Sequence, residues 1–527
     1  MTMRREPVGI YPPSAAAAVL GLVLDVKRDF GASGSSESTT GSITAGSSVL
    51  TLASPIDFQN GQGISVAGAG TSGALLVTSI ASGAGTTTLT LAESAATTVS
   101  NAQILHDDSA AINAALSALS LTTGGTIYFP DGVYYCNGPA TTTNGYNTIL
   151  ALPYNPFSSV TAGPNPVTIA LIGQTFPAEQ PSEFSPDAPT NSGSIIICTL
   201  ATGTSYQSIL GGPNQTGIAT NKSVITVVTR NLVVRQMYPA PFYAIDLSGC
   251  ENADLDGVIC DVTTPPGSAP APSSTANGAG ILMPNSQTSS MYGRSSLTRF
   301  YMQSLGVGIM ASAHAFIDNG VIQNCYTGIS IIKGEHPIYI GKVNVERNTY
   351  DISADSQGGL SDTPRLYVAQ LDIEPNSGTS PGPRINDPNN LLQGIVNFVL
   401  VYNNAGLSGP LPMNGGANLR VTNLGDVGAR SITPPASPLT SGTVYQNTLG
   451  ITITIYQPAY ASTSGTAGTV AVALGPTSTP PTIFTKQIPG TSSSTAPDMV
   501  EVRVPPGWYY SMTATSATLA TAMFIGE

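Results

Sequence analysis

Charge is what this chain has least of: only 9% of its 527 residues are Asp, Glu, Lys or Arg, against about 25% in an ordinary soluble domain. That scarcity excludes coiled coils and helical bundles, which need charged outer faces, and it excludes charge-driven disorder. Tryptophan occurs once and histidine three times. No apolar run approaches the ~20 residues that a membrane-spanning helix requires. The five cysteines, Cys136, Cys198, Cys250, Cys260 and Cys325, are odd in number and lack CxxC spacing, so neither a disulfide framework nor a zinc site is indicated. Buried free thiols are the reading that remains. With 18 basic against 30 acidic residues the net charge is −12 and the pI about 4.6, which disfavours nucleic acid and anionic membranes and favours neutral or weakly charged ligands. GxGxxG, P-loop, HExxH and GxSxG patterns in suitable context are missing, so no nucleotide cofactor or serine-hydrolase chemistry is expected.

In place of charge the chain carries 56 glycines and 41 prolines. They follow no three-residue period, which excludes collagen, and they alternate with strand-like runs of Val, Ile and Leu. A turn-rich, all-β protein of two to four domains follows. Residues 1–24 form a leader rich in Pro and Ala. Arg4 and Arg5 precede an apolar stretch from Ala15 to Leu24, but Pro12 and Pro13 interrupt the approach, the stretch is about ten residues, and no A-x-A site follows. The leader therefore reads as a docking segment, with no export signal and no membrane insertion.

A pattern that begins at Asp25 as DVKRDFGASGSS breaks off and resumes at Ile104 as ILHDDSAAINAALSALSLTTGGTIYFPDGVYYCNG. The two pieces read as one unit, 25–37 and 101–430, split by a small β module at 38–100. In the second piece Asp108 is placed to cap a short helix with Ile112, Ala115, Leu116 and Leu119 on one face. Within the module, SSVLTLAS and TTTLTLAES set Leu50 over Leu89 and Leu52 over Leu91, and Asp57 and Glu93 read as solvated loop charges. From about Val167 to Asn404 short strands repeat at variable offsets in the twenties. IYIGKVNVERN from Ile338 aligns with LYVAQLDIEPN from Leu366 at an offset of 28, and NCYTGIS at Asn324 aligns with NTYDIS at Asn348 at an offset of 24. Such offsets suit the coils of a parallel β-helix, in which each strand pairs with its equivalents one rung away. Val343 and Val345 then point inward and Asn344 and Glu346 outward, with Asn324, Asn348 and Asn376 stacked at a bend. The Pro, Ser and Gly-rich stretches 263–280 and 375–390 are projecting loops. A linker from Ser431 to Gly442 leads to a C-terminal unit, within 431–527, whose alternating runs predict a β-sandwich serving trimerisation or receptor binding.

The three-part series DVKRDFGA, DDSAAINAAL and GGTIYFPDGVYY resembles the entry segment of the pectate-lyase-like right-handed β-helix superfamily, as found in bacteriophage tailspikes and some polysaccharide-degrading enzymes. Here Gly34 is followed by Ser35, Ser36 and the insertion, and Ser109 stands where the family has Thr. The resemblance implies a right-handed parallel β-helix, assembly as a homotrimer, binding of a host surface polysaccharide with depolymerisation as its associated activity, and seating on a virion tail or baseplate through residues 1–24. A soluble polysaccharide lyase or glycoside hydrolase, or a purely structural virion decoration, are the alternatives.

Glycoside hydrolysis needs two carboxylates, about 5–5.5 Å apart for retention or roughly 6.5–9.5 Å for inversion. Glu346 and Glu374 fall on neighbouring rungs, and Asp372 and Glu374 fall two residues apart on one strand, so these three are the catalytic candidates; an exposed polar ladder is the bland alternative. Asp318, Glu335, Asp351 and Asp355 lie on adjacent rungs and suit turn or capping roles. Lys333, Lys342, Arg347 and His336 would serve lyase chemistry, the second choice. His106, His314 and His336 are far apart in sequence with no metal spacing, so no metal site is predicted. Tyr339 and Tyr367 are candidate sugar platforms, although strand parity puts them on the inward side with Val343 and Val345 unless Gly341 and Ala369 bend the strands. Trp508, after Pro-Pro-Gly, is a candidate for a ligand patch, a subunit contact or core packing.

Overall fold

The computed structural model describes residues 22–138, 141–143, 146–153, 167–176, 193–200, 208–211, 223–237, 243–262, 278–284, 294–312, 314–332, 336–354, 365–374, 385–387, 391–396, 399–401, 413–414, 419–421, 424–426, 439–447, 453–492, 497–505, 507–520 and 523–526. Most of the leader, the linker to residue 438, most of the loops at 263–280 and 375–390, and Lys333, Glu335, Asp355 and Asn376 lie outside the described residues.

Two long parallel sheets run along the chain. Strands Val167–Gly173, Ser223–Gln236, Cys250–Val262, Ser295–Gln303, Ala315–Gln323, Ile338–Glu346 and Arg365–Glu374 pair in sequence order in one of them. Strands Ser208–Gly211, Tyr243–Asp246, Ala279–Leu282, Val307–Ala311, Thr327–Ile331 and Tyr350–Ser353 alternate with these along the chain and stack in the second. One strand from each sheet makes a rung, and the connections between parallel strands wind in the right-handed sense. The result is a right-handed parallel β-helix. Its core is one continuous apolar column that includes Ile317, Val343, Val345, Leu371 and Ile373 and all five cysteines, which are free and buried. Burial pushes the Cys198 and Cys325 thiols up to about 12, so neither ionises at physiological pH.

The rungs of the first sheet are bent in the middle. Asn231, Arg299 and Asn319 hold φ of 53°, 49° and 54° at the bend, and Gly257 takes 71°. A left-handed residue turns the chain without breaking the ladder on either side. Each long strand is therefore two legs whose outer faces meet at an angle. Turns from the second leg into the second sheet use the same device at Ser304, Asn324 and Arg347.

Register settles the repeats. Ile338 pairs with Leu366, Val343 with Leu371 and Glu346 with Glu374, an offset of 28 as expected. The preceding step is 23, not 24: Gln323 pairs with Glu346 and Ile329 with Ile352. Asn324 thus corresponds to Arg347, and the expected stack of Asn324 on Asn348 does not form. Instead buried Asn348 reaches back one rung, where its Oδ1 accepts the Cys325 N–H at 2.9 Å and its Nδ2 donates to the Ile322 carbonyl at 3.1 Å.

The insertion is a closed six-stranded antiparallel barrel from Ser38 to His106. The echoing runs are neighbouring strands in it, with Leu50 opposite Leu89, and all four echoing leucines are buried in its core. Asp57 is exposed at its loop position, and it also pairs with the buried His106 Nε2 at 2.8 Å. Asp108 sits at the N-cap of the helix Ser109–Ser117 but does not cap it. Its carboxylate accepts the Ser33 and Gly34 N–H groups at 2.6 and 3.1 Å, tying together the two pieces that the insertion separates. Beside it Asp107 accepts N–H groups of Ser109 and Asn137, both at 3.1 Å.

Burial raises the Asp107 carboxyl to about 7 and that of Asp108 to about 6. The native state therefore holds protons that an unfolded chain, with carboxyls near 3.9, releases. Their contribution to stability is fully present below about pH 4 and is lost as pH rises through 6 to 7. The thermal midpoint is expected to fall between pH 5 and pH 8, and Asp107→Asn to flatten that fall. A midpoint that rises over this interval in the parent protein would show that both groups stay ionised in the fold.

The C-terminal unit has two four-stranded antiparallel sheets. Ile453, Ile455 and Val502 of one share a core with Val470, Val472 and Tyr510 of the other, which makes it a β-sandwich.

Candidate functional site

The bend decides which side chains face outward. In the first leg Ile338 and Ile340 point inward, and in the second Val343 and Val345 do, all at most 1% exposed. Two residues, Gly341 and Lys342, intervene where one would keep simple alternation. Parity is reset there, and counting back from Val343 assigns Tyr339 to the wrong side. Tyr339 is 40% exposed and Tyr367 38%. They stand in register with Phe316, itself 41% exposed. The three rings stack as a ladder along the helix axis, with centroids 5.1 and 5.4 Å apart and planes inclined by 26° and 15°. Arg294 covers the far face of Phe316 at 5.9 Å. Near-parallel rings at about the spacing of adjacent strands overlap only in part, so each leaves an edge and part of a face to solvent.

Outward positions of the second leg form two columns. One runs Ile259, Tyr301, Val321, Asn344, Asp372 and the other Asp261, Gln303, Gln323, Glu346, Glu374. Early in the chain this face is apolar and covered: Val133, Ile195, Val233, Ile259 and Tyr301 are buried together beyond the main core. The column that runs through Ile259, Tyr301 and Val321 becomes polar from Asn344 onward. Glu346 and Glu374 are in-register neighbours, which places their backbones one rung, about 4.8 Å, apart. The Glu374 side chain lies outside the described residues. Asp372 is 4% exposed; Gln370 donates to it at 2.9 Å and the Lys342 ammonium stands 3.8 Å away.

Where the two legs meet, the outer surface forms a groove of about 340 Å³ lined by Phe176, Arg299, Tyr301, Asn319, Lys342 and Asn344, among others. Only Lys342 of these was singled out in the sequence. The rest come from four separate rungs, and no motif spacing joins them.

The remaining candidates separate. Trp508 is half-buried against the core of the C-terminal sandwich, and its carbonyl accepts the Asn447 N–H at 2.8 Å. Asp318 accepts the Lys342 backbone N–H at 2.7 Å, and Asp351 is wholly buried. The histidines are not all far apart: His314 and His336 stack at 4.3 Å and 24°, because successive rungs bring the ends of their loops together. No cluster of three or more metal-ligating side chains occurs among the described residues, and no described helix is long and apolar enough to cross a membrane.

No protein-family model matches the chain, and no curated protein matches it. Solved structures do. Tailspike protein 2 of Escherichia coli O157:H7 bacteriophage CAB120 is 11% identical, over 90% of this chain and 75% of that one, with a TM-score of 0.23. The gp49 tailspike of Pseudomonas phage LKA1 is 9% identical over 93% and 81%, with a TM-score of 0.21. The gp54 tailspike of Acinetobacter baumannii bacteriophage AP22, solved in complex with A. baumannii capsular saccharide, is 9% identical over 93% and 82%, with a TM-score of 0.20. Overlaps this low transfer no residue roles, and the fold stands on the strand register itself: the chain is a right-handed parallel β-helix, and the solved structures similar to it include bacteriophage tailspikes.

Proposed function

We propose that this protein is a tailspike-like adhesin: a homotrimer that binds a bacterial surface polysaccharide along the outer face of its β-helix and sits on a virion tail or baseplate through residues 1–24. The observation that carries the reading is the face spanning residues 294–374. It presents an exposed aromatic ladder next to a groove that mixes polar and apolar groups, and aromatic surface beside convergent polar groups is how proteins hold sugars. A rigid stack of rungs fixes these groups without a loop having to close. The likeness to a tailspike described with a capsular saccharide agrees with this reading but supplies no weight of its own.

A second reading, glycoside hydrolysis on the same face, is favoured by the adjacent-rung register of Glu346 and Glu374. The test of the first is direct. Light scattering should give about three times the 53.8 kDa of one chain. Purified protein should retain host surface polysaccharide, and Tyr339→Ala/Tyr367→Ala should weaken retention at least tenfold, about 1.4 kcal/mol. Unchanged retention by a trimeric double variant removes the ladder from the site, and a monomer that binds no polysaccharide removes the adhesin reading altogether.

A further inference from the structure

The groove at the bend has a chemistry of its own. Phe176 closes one end, lying over the bend where a side chain at Gly257 would come within 3.1 Å of its ring, and the Arg299 guanidinium stacks on it at 5.7 Å. Ile259, Phe300 and Val321 complete an apolar wall. The volume, about 340 Å³, is at the lower end of the range of small-molecule sites.

Three carboxylates contact residues that line this space, and each is already engaged. Asp256 accepts from Arg299 Nε and Nη2 at 2.5 and 2.6 Å and from Thr298. Asp318 accepts the Lys342 N–H, and Asp372 accepts from Gln370. None of them lines the groove itself, and no carboxylate does among the described residues. What faces a ligand is a set in which donors outnumber acceptors. The Lys342 ammonium is 59% exposed and, at 3.8 Å from Asp372, beyond hydrogen-bonding distance of its only ion-pair partner among the described residues. Arg299 has Nη1 left over from its pairing, and Asn319 and Asn344 offer carboxamides.

Carboxylates hold sugar hydroxyls by accepting from them. A pocket that offers an ammonium, a guanidinium edge and two amides instead suits a ligand rich in acceptors. We propose that this groove is a saccharide subsite for a pyranose bearing a planar acceptor group, either a uronate carboxylate or an acetamido group. The inference rests on the polysaccharide-binding reading and narrows its substrate class. Lys342 and the amides take the acceptor oxygen, while the ring and any N-acyl methyl pack on the wall of Phe176 and Val321.

The test uses the full-length protein and three small sugars, sodium glucuronate, N-acetylglucosamine and methyl glucoside, followed by ligand-observed NMR. At least one acceptor-bearing sugar is expected to bind fivefold or more tightly than methyl glucoside, with Asn344→Ala weakening it severalfold. Lys342→Met separates the two sources: a loss of about tenfold for glucuronate alone identifies the carboxylate, and a change within twofold for N-acetylglucosamine identifies the acetamido group as held by the amides. Lys342 is surface-exposed, so this variant should fold. Equal binding of methyl glucoside, or no binding of any of the three, overturns the subsite. Retention of host polysaccharide by the parent protein in that event leaves the adhesin reading standing, and loss of both sinks the two together.

Discussion

Replacing Arg235 with Met is expected to destabilise the β-helix by about 3–5 kcal/mol, because it leaves the Asp261 carboxylate buried without its counter-ion. Arg235 is 7% exposed and Asp261 2%. The guanidinium holds the carboxylate at both oxygens, Nε to Oδ1 at 2.8 Å and Nη2 to Oδ2 at 2.7 Å. The two residues occupy neighbouring rungs of the outer column that continues as Gln303, Gln323 and Glu346. The pair lies beside the covered apolar patch of Val233, Ile259 and Tyr301, where water is excluded and an unpaired charge is most costly. The double variant Arg235→Met/Asp261→Leu should recover most of the loss, since exchanging a whole buried pair for apolar side chains is close to neutral. Denaturant unfolding of both variants decides the matter. A single variant within 1 kcal/mol of the parent would mean that Asp261 finds water or a proton, and that this stretch is wetter than its burial implies.

The second large effect concerns chemistry. If the face cleaves what it binds, Glu346→Gln and Glu374→Gln should each lower the release of reducing ends by about 10²–10⁴-fold, the usual worth of a general acid or base, while polysaccharide retention stays within threefold. Neighbouring rungs set the two backbones about 4.8 Å apart, from which their carboxyl groups can reach the separation of a retaining pair. Asp372 is set apart by its burial and its contacts with Gln370 and Lys342. Asp372→Asn is accordingly expected to affect binding, through Lys342, more than turnover. Retained cleavage in both glutamate variants moves the chemistry off this column. Products with new absorbance near 235 nm would indicate elimination and a lyase. No cleavage by a trimer that still binds leaves an adhesin without hydrolytic activity.

The rung register from Ile338 to Leu366 was legible in the sequence, because inward positions demand apolar side chains at matched spacing and the offset of 28 preserved them. The short helix after Asp108 and the split entry unit were legible for the same reason: Ile112, Ala115, Leu116 and Leu119 mark one buried face. The step from Ala315 to Ile338 was misread by one residue, since matching the asparagines Asn324 and Asn348 outweighed the apolar match of Ile329 with Ile352, and burial sets register more strongly than a bend residue does. Phe316 was missed although it stands 23 residues before Tyr339; that corrected offset would have found it.

Pattern and composition by themselves determined that this chain is a turn-rich β-helix with free, buried thiols, an inserted β module and a C-terminal sandwich, since each depends on alternation, periodicity or residue counts. Tertiary structure alone decided which side chains face outward. Tyr339 and Tyr367 turn outward because two residues, Gly341 and Lys342 in one strand and Ala369 and Gln370 in the next, separate the inward positions of the two legs, a bend that the sequence offered at Gly341 and Ala369 only as an alternative to simple alternation. Phe176 meets Arg299, and His314 meets His336, only because stacked rungs place residues adjacent in space whose separation along the chain is set by loops of arbitrary length.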